Sequence, residues 1–264
     1  MKQIENERLG EIRKNKESLG NYEMKIVEYN KAIDIVIEFQ DEHKAKVRTR
    51  YGDFKKGQVK NPYHKNVYGV ACIGIGKYKA KENGKQTKAY NYWMNMLMRC
   101  YDPYYINKRL TYKDCFVCDE WLCFQNFAKW FYKHYYEVPN DRMELDKDIL
   151  CKGNKIYSPN NCIFVPMRIN SLFTKRQNYR GEYPIGVNLH YNNGYEYLIV
   201  QCGTLEKEKQ EYLGQFPINR PFLAFYTYKT FKENYIKQVA DEYKNLIPAK
   251  LYGALYSYEV EIND

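Results

Sequence analysis

The chain has 264 residues, 44% of them apolar, and 42 Lys and Arg stand against 32 Asp and Glu for a formal net charge of +10. No stretch approaches the ~18 uninterrupted apolar residues of a membrane-spanning helix, and residues 1–8 are charged where a secretory leader would be apolar. The expectation is therefore a cytoplasmic protein with no membrane partner.

The positive excess favours a polyanionic partner, because each Lys or Arg set beside a phosphate releases condensed counterions. The charges are interspersed, which points to a folded basic face rather than a basic arm. Tyrosine is abundant, 29 residues beside 12 Phe and 3 Trp, and its stacking face and hydroxyl suit DNA surfaces and interfaces. Of the eight cysteines, only Cys115 and Cys118 have ligand-like spacing. A zinc site needs two further donors, and Cys123, Cys151, Cys162 and His134 form no second tight pair. The cysteines thus read as small buried apolar side chains, with no zinc.

In chain order, the first ~20 residues are polar and read as a short helix or a frayed end. Residues 24–29 and 33–39 alternate as strands joined by a turn at Asn30-Lys31. Residues 45–51 alternate too, with Lys46, Arg48 and Arg50 outward, either a nucleic-acid-facing basic strand or an ordinary solvated face. Together these give a small antiparallel sheet module, residues 22–66. Residues 66–88 are dotted with glycine, but Gly74-Ile75-Gly76 lacks the third glycine and helix of a nucleotide loop.

At Tyr90 the period becomes helical. Tyr90, Trp93, Met94, Leu97, Cys100 and Tyr101 share a face, and Asp102-Pro103 ends the run. A second helix carries Trp121, Phe124, Phe127, Ala128 and Phe131 on one side, as core. A short strand through Leu145, a turn at Gly153, a strand over 162–165 and a helix start follow. This central α+β segment spans 67–174, and the basic joint with Lys175, Arg176 and Arg180 marks a boundary.

The last segment, 183–247, reads as three antiparallel strands (185–191, 195–201 and 211–216) with a hairpin turn at Asn192-Asn193-Gly194. A long helix follows, capped by Asn219, on which Ala224, Tyr228, Phe231, Tyr235 and Val239 recur every three or four residues. Residues 248–264 read as a tail. The fold class is α+β, with a sheet at each end of the chain and a long helix backing the second.

Ile185-Gly186-Val187, the aromatic hairpin, Tyr212-Leu213-Gly214-Gln215-Phe216 and Ala224 with Tyr228 resemble the plant ethylene-response-factor (APETALA-type) DNA-binding domain, also found in phage homing-endonuclease-like proteins. The resemblance implies that the sheet lies in the major groove of double-stranded DNA with the helix behind it. The Arg and Trp residues with which plant members read bases are mostly absent; Asn188, His190, Tyr195, Tyr197 and Gln201 stand on the strand face instead.

The middle segment resembles the HNH-like core of phage endonuclease homologues: Trp93, Met96, Leu97, Arg99, Cys100 and Tyr101, then Trp121, Phe124, Asn126 and Phe127, then Leu145-Asp146-Lys147-Asp148-Ile149, Gly153-Asn154-Lys155 and Tyr157-Ser158-Pro159. Aligned so, Asp146 takes the Asp position, Lys147 replaces the catalytic histidine and Asn161 stands near the Asn. A lysine ammonium has no lone pair with which to act as a base. The N-terminal sheet module also resembles a small unit recurrent beside such phage domains.

Three functions compete. The first is a phage-type DNA-binding protein, in the cytoplasm of the infected bacterial host, with weak or absent cleavage. The second is an active endonuclease with Asp146, Asp148 and Asn161 around Mg2+. The third is a protein-interaction factor, a host-defence inhibitor or a virion component. DNA contact is expected from Lys175, Arg176 and Arg180 at the joint with His190, Tyr195 and Tyr197 of the hairpin, and from Lys46, Arg48 and Arg50. Oligomeric state and target sequence are open at this point.

Overall fold

Alternating apolar residues, Met24 and Ile26 and then Ile35, Ile37 and Phe39, build the first sheet. In the computed structural model of the protein, which describes residues 7–173, 182–205, 210–262 and 264, β1 (Ile12–Lys14), β2 (Glu23–Lys31), β3 (Asp34–Phe39) and β4 (Lys46–Thr49) pair antiparallel in sequence order. Met24, Ile26, Ile35, Ile37 and Phe39 are fully buried beneath Phe54 of the short helix α1 (Tyr51–Lys55). Two expectations are corrected here. The opening segment is not merely helical or frayed, because Ile12–Lys14 adds an edge strand. Buried Asn15 secures it: its amide donates to the Leu19 and Val59 carbonyls, both at 3.1 Å, and accepts from the Tyr22 N–H at 2.6 Å. The turn also falls later than Asn30-Lys31, at Ala32-Ile33, since β2 runs on to Lys31 with register shifts after Ile26 and Tyr29.

Gly74 and Gly76 are explained by packing. A Cβ on Gly74 would stand against the Cys123 thiol, and one on Gly76 against the Gln125 amide, which is tied to Tyr78 by a pair of bonds at 2.8 and 3.0 Å. A two-residue hairpin of β5 (Lys81–Glu82) and β6 (Lys85–Gln86) turns at Asn83-Gly84. Thr87 then caps α2 (Lys88–Tyr101), accepting from the Tyr90 N–H. Asp102 ends that helix and caps a further one, α3 (Pro103–Lys108), with proline at its first position. β7 (Phe116–Val117) precedes α4 (Phe124–His134), which buries Phe124, Phe127, Ala128, Trp130 and Phe131. The buried Trp93 of α2 donates its indole N–H to the Trp121 carbonyl at 2.7 Å. The parallel partner of β7 comes from far along the chain.

β8 (Met143–Asp146) and that partner, β9 (Ile156–Tyr157), precede β10 (Ile163–Pro166) and the short α5 (Met167–Ser171). β8 and β10 pair antiparallel, Ile163 opposite Asp146, and Gly153 turns at φ 77°. The sequence of strand, glycine turn, strand and helix is as expected.

The second sheet comprises β11 (Val187–Asn192), β12 (Tyr195–Cys202) and β13 (Glu211–Pro217), antiparallel in that order. Asn193 and Gly194, at φ 49° and 81°, make the hairpin turn. The long helix α6 (Pro221–Tyr243) buries Ala224, Phe225 and Tyr228 against Val187, Leu198 and Val200. Its cap position is Arg220, without a side-chain bond, rather than Asn219: Pro221 presets the first helical φ and sets the boundary one residue on. Residues 248–264, expected as a tail, hold α7 (Ala249–Tyr256) with Leu251 and Leu255 buried, and Val260 joins the core of the second sheet.

The structure is thus mixed α/β, with a four-stranded antiparallel sheet at the N-terminal end and a three-stranded one followed by a long helix at the C-terminal end. It divides into two compact units, Met1–Lys133 with Lys155–Pro159, and His134–Asn154 with Asn160–Asp264. No helix among the described residues is long and apolar enough to cross a membrane.

Candidate nucleic-acid interface

The three-stranded sheet has one face under α6 and one face open. Strand alternation assigns the open face. Asn188 lies opposite Ile199, His190 opposite Tyr197 and Asn192 opposite Tyr195; Ile199 in turn lies opposite Gln215 and Gln201 opposite Tyr212. These positions hold no Lys, Arg, Asp or Glu, so amide, phenol and imidazole groups provide the polar chemistry. Tyr195 is 78% exposed and Tyr212 57% exposed. The His190 and Tyr197 rings stack across the strands, their centroids 6.1 Å apart and 25° from coplanar.

Two backbone devices shape the face. The register shift between Val200 and Gln201 lets Tyr212 come up beside Gln201 while Leu213 packs towards the core. Gly186, at φ 79°, has the Tyr228 ring of α6 against its Cα, where a side chain would collide. That contact accounts physically for Gly186 and Tyr228 in the sequence pattern.

His190, Tyr195 and Tyr197 thus come together with Asn188 and Gln201, as alternation predicts. Lys175, Arg176 and Arg180, the other half of the expected surface, lie outside the described residues. Asn192, Tyr212 and Gln215 extend the face beyond the residues read from sequence; the strand pattern of 211–217 carries them, but the bulge that aims Tyr212 leaves no sequence signal.

The basic strand β4 is exposed as expected, yet its charge is compensated. The Arg48 guanidinium meets Asp34 at 2.7 Å and Glu28 at 3.9 Å, and the Lys46 ammonium stands 3.9 Å from Glu38. Arg50 is exposed just before α1. Carboxylates interleaved with the cations cancel much of the potential a phosphate would feel.

The residues expected around Mg2+ are engaged by their own loop, Asp146 by backbone N–H groups and Asp148 and Asn161 by side chains. Asp146 Oδ1 accepts from the N–H groups of Asp148 and Ile149 at 2.9 and 2.7 Å. The buried Lys147 ammonium donates to Asp148 Oδ2 at 3.1 Å and to the Asn154 carbonyl at 2.9 Å. Asn154 returns a bond to the Lys147 carbonyl at 2.6 Å, and Asn161 donates to the Asn154 side chain at 3.1 Å. Asn154, missed as a site residue, is the hub of this loop. Burial first, then the Asp148 carboxylate, push the Asp146 carboxyl up to about 6.

A divalent cation needs several oxygens converging on one point. Here Asp146 caps a turn, Asp148 faces an ammonium, and among the described residues no three His, Cys, Asp or Glu side chains gather as a metal site would require. The arrangement does not fit Mg2+. Cys115 is buried with its thiol 3.8 Å from the Thr111 carbonyl, and Cys118 is half-buried.

No protein family, curated protein or solved structure matches this chain.

Proposed function

We propose that the protein binds double-stranded DNA through the open face of its C-terminal sheet and is related to phage HNH homing endonucleases, with cleavage weak or absent. The observation that carries this reading is the face itself: a three-stranded surface, backed by one long helix, whose outward strand positions hold Asn, Gln, His and Tyr and no charged residue. Amides read base edges by paired donor and acceptor groups, and tyrosine supplies stacking and apolar contact. The net charge of +10 supports a phosphate partner. The basic joint at Lys175, Arg176 and Arg180 adjoins the first strand in sequence and is assigned the phosphate contacts, which position the protein without specifying sequence.

Cleavage is assigned to the minor place because Lys147 holds the loop in which a histidine would be needed, and because Asp146 and Asp148 are engaged locally. The test is binding to a random duplex across a salt series. Replacing Lys175, Arg176 and Arg180 together with Ala is expected to weaken unrelated duplexes by similar factors and to lower the salt slope by roughly one unit per contact. An unchanged slope moves the phosphate contacts to Lys46, Arg48 and Arg50.

One observation favours a protein partner as the second reading. Ile218, Phe222, Leu223 and Tyr226 are exposed together around the start of α6, and exposed apolar residues grouped in this way mark interaction surfaces.

A further inference from the structure

A pair of thiols in the first unit belongs to none of the chemistry above. Cys72 and Cys123 are direct partners in a parallel β-bridge. The bridge is fixed on both sides: the Cys72 N–H donates to the Leu122 carbonyl and the Phe124 N–H to the Cys72 carbonyl, each at 2.9 Å. Directly bridged residues stand about 4.8 Å apart with side chains on the same side, within the roughly 4.4–6.8 Å Cα separation that a disulfide spans. Cys123 immediately precedes the eleven-residue α4, so the N–H groups of Gln125 and Asn126 point at its sulfur. The Cys123 thiol lies over Gly74, where any side chain would collide with it. Cys123 is half-buried and Cys72 is buried, so a small oxidant reaches the first before the second.

We infer that Cys123 is a site of reversible oxidation by hydrogen peroxide, with Cys72 as its resolving thiol. In the first step the Cys123 thiolate attacks a peroxide oxygen; the O–O bond breaks, hydroxide leaves, and Cys123 becomes a sulfenic acid. In the second, the Cys72 sulfur attacks the Cys123 sulfur, the S–O bond breaks, and water leaves with the Cys72 proton. Each cysteine gives up one electron, and the peroxide is reduced to two waters.

The electrostatics agree with the geometry. The neighbouring Cys72 thiol, against the opposing effect of burial, lowers Cys123 below the ordinary thiol range, with the two helix N–H groups and the His43 imidazole assisting. Cys72 is pushed up, by Cys123 first and then by burial. The more accessible sulfur is thus the more acidic of the two, which is the arrangement an attacking thiol needs.

The test is intact-mass and peptide analysis of the folded full chain treated with hydrogen peroxide. The parent is expected to lose about 2 Da, to yield a peptide joining residues 72 and 123, and to regain its mass with dithiothreitol. Cys72→Ser is expected to gain about 16 Da instead, as a sulfenic acid on Cys123 that dimedone captures. Cys123→Ser should show neither product, while the exposed Cys151 reports background oxidation in every variant. Circular dichroism checks that both serine variants are folded. A disulfide mapped to any other pair, or a Cys123→Ser protein that oxidises at the parent rate, overturns the inference.

Discussion

Lys147 bonds forward to Asp148 and across the loop to the Asn154 carbonyl, while Asn154 bonds back to the Lys147 carbonyl. The ammonium is buried, and a buried charge persists only where its hydrogen bonds are made. Asn154→Ala removes the side-chain bond to the Lys147 carbonyl and the one from Asn161, and is expected to cost about 1–3 kcal/mol, read as a lowered urea midpoint with an unchanged slope. An unshifted midpoint contradicts the clamp. Asp146 makes a second, opposite prediction. Its carboxyl is pushed up to about 6, so in the folded chain it holds its proton more tightly than the ordinary ~3.9. Its stabilising contribution is complete below the ordinary value and is lost as pH rises through about 6. Asp146→Asn keeps an oxygen for the two N–H groups and cannot ionise. It is expected to match or exceed the parent's unfolding temperature at pH 7.5 and to lose any advantage by pH 4. A variant less stable than the parent at both pH values counts against the burial argument.

Among elements, the ones with many residues in a fixed period are legible in the sequence, because the residues that show the period are also the ones buried. Met24 to Phe39, Ala89 to Cys100, Phe124 to Phe131 and Val187 to Cys202 are of this kind. β1, β7 and β9 are not legible: two or three residues show no period, and their partners are fixed by Asn15 and by segments far along the chain. α3 escapes reading because Asp102 serves as the end of one helix and the cap of the next. α7 reads as a tail because only the burial of Leu251, Leu255 and Val260 gives it a place. The open-face residues of β11 and β12 are readable from alternation, whereas the bulge after Val200 and the burial of Lys147 depend on tertiary packing. Glycines separate two causes of strain on the second sheet. Gly194 turns in open space, whereas Gly186 has the Tyr228 ring against it. Gly194→Ala is expected to cost ~1 kcal/mol from backbone strain alone. Gly186→Ala should cost more, up to ~3 kcal/mol, since backbone and packing are both disturbed. Equal costs in chemical denaturation mean that the Tyr228 contact is not tight.

For the molecule as a whole, the formal charge of +10 does not by itself locate a surface for a polyanion. The most evident basic strand, with Lys46 and Arg48, is neutralised by Glu38, Asp34 and Glu28, and exposed ion pairs of this kind contribute little either to stability or to a distant partner. The strand positions on the open face of the second sheet hold no charged side chain, so the proposed binding there would draw its salt dependence from residues around the face and its selectivity from the face itself. Supercoiled plasmid incubated with Mg2+ or Mn2+ is expected to remain uncut, and equally so with Asp146→Ala. Nicking by the parent that Asp146→Ala abolishes restores the endonuclease reading. The most direct test of the central claim is the affinity of Tyr195→Glu for duplex DNA by fluorescence anisotropy. Tyr195 is 78% exposed, so the substitution leaves the core intact while setting a carboxylate against the phosphates. Like charges brought together at an interface cost several kcal/mol, and each ~1.4 kcal/mol is tenfold. The account predicts binding at least ten times weaker than the parent's at the same salt concentration; a Tyr195→Glu protein that binds as tightly as the parent would contradict it.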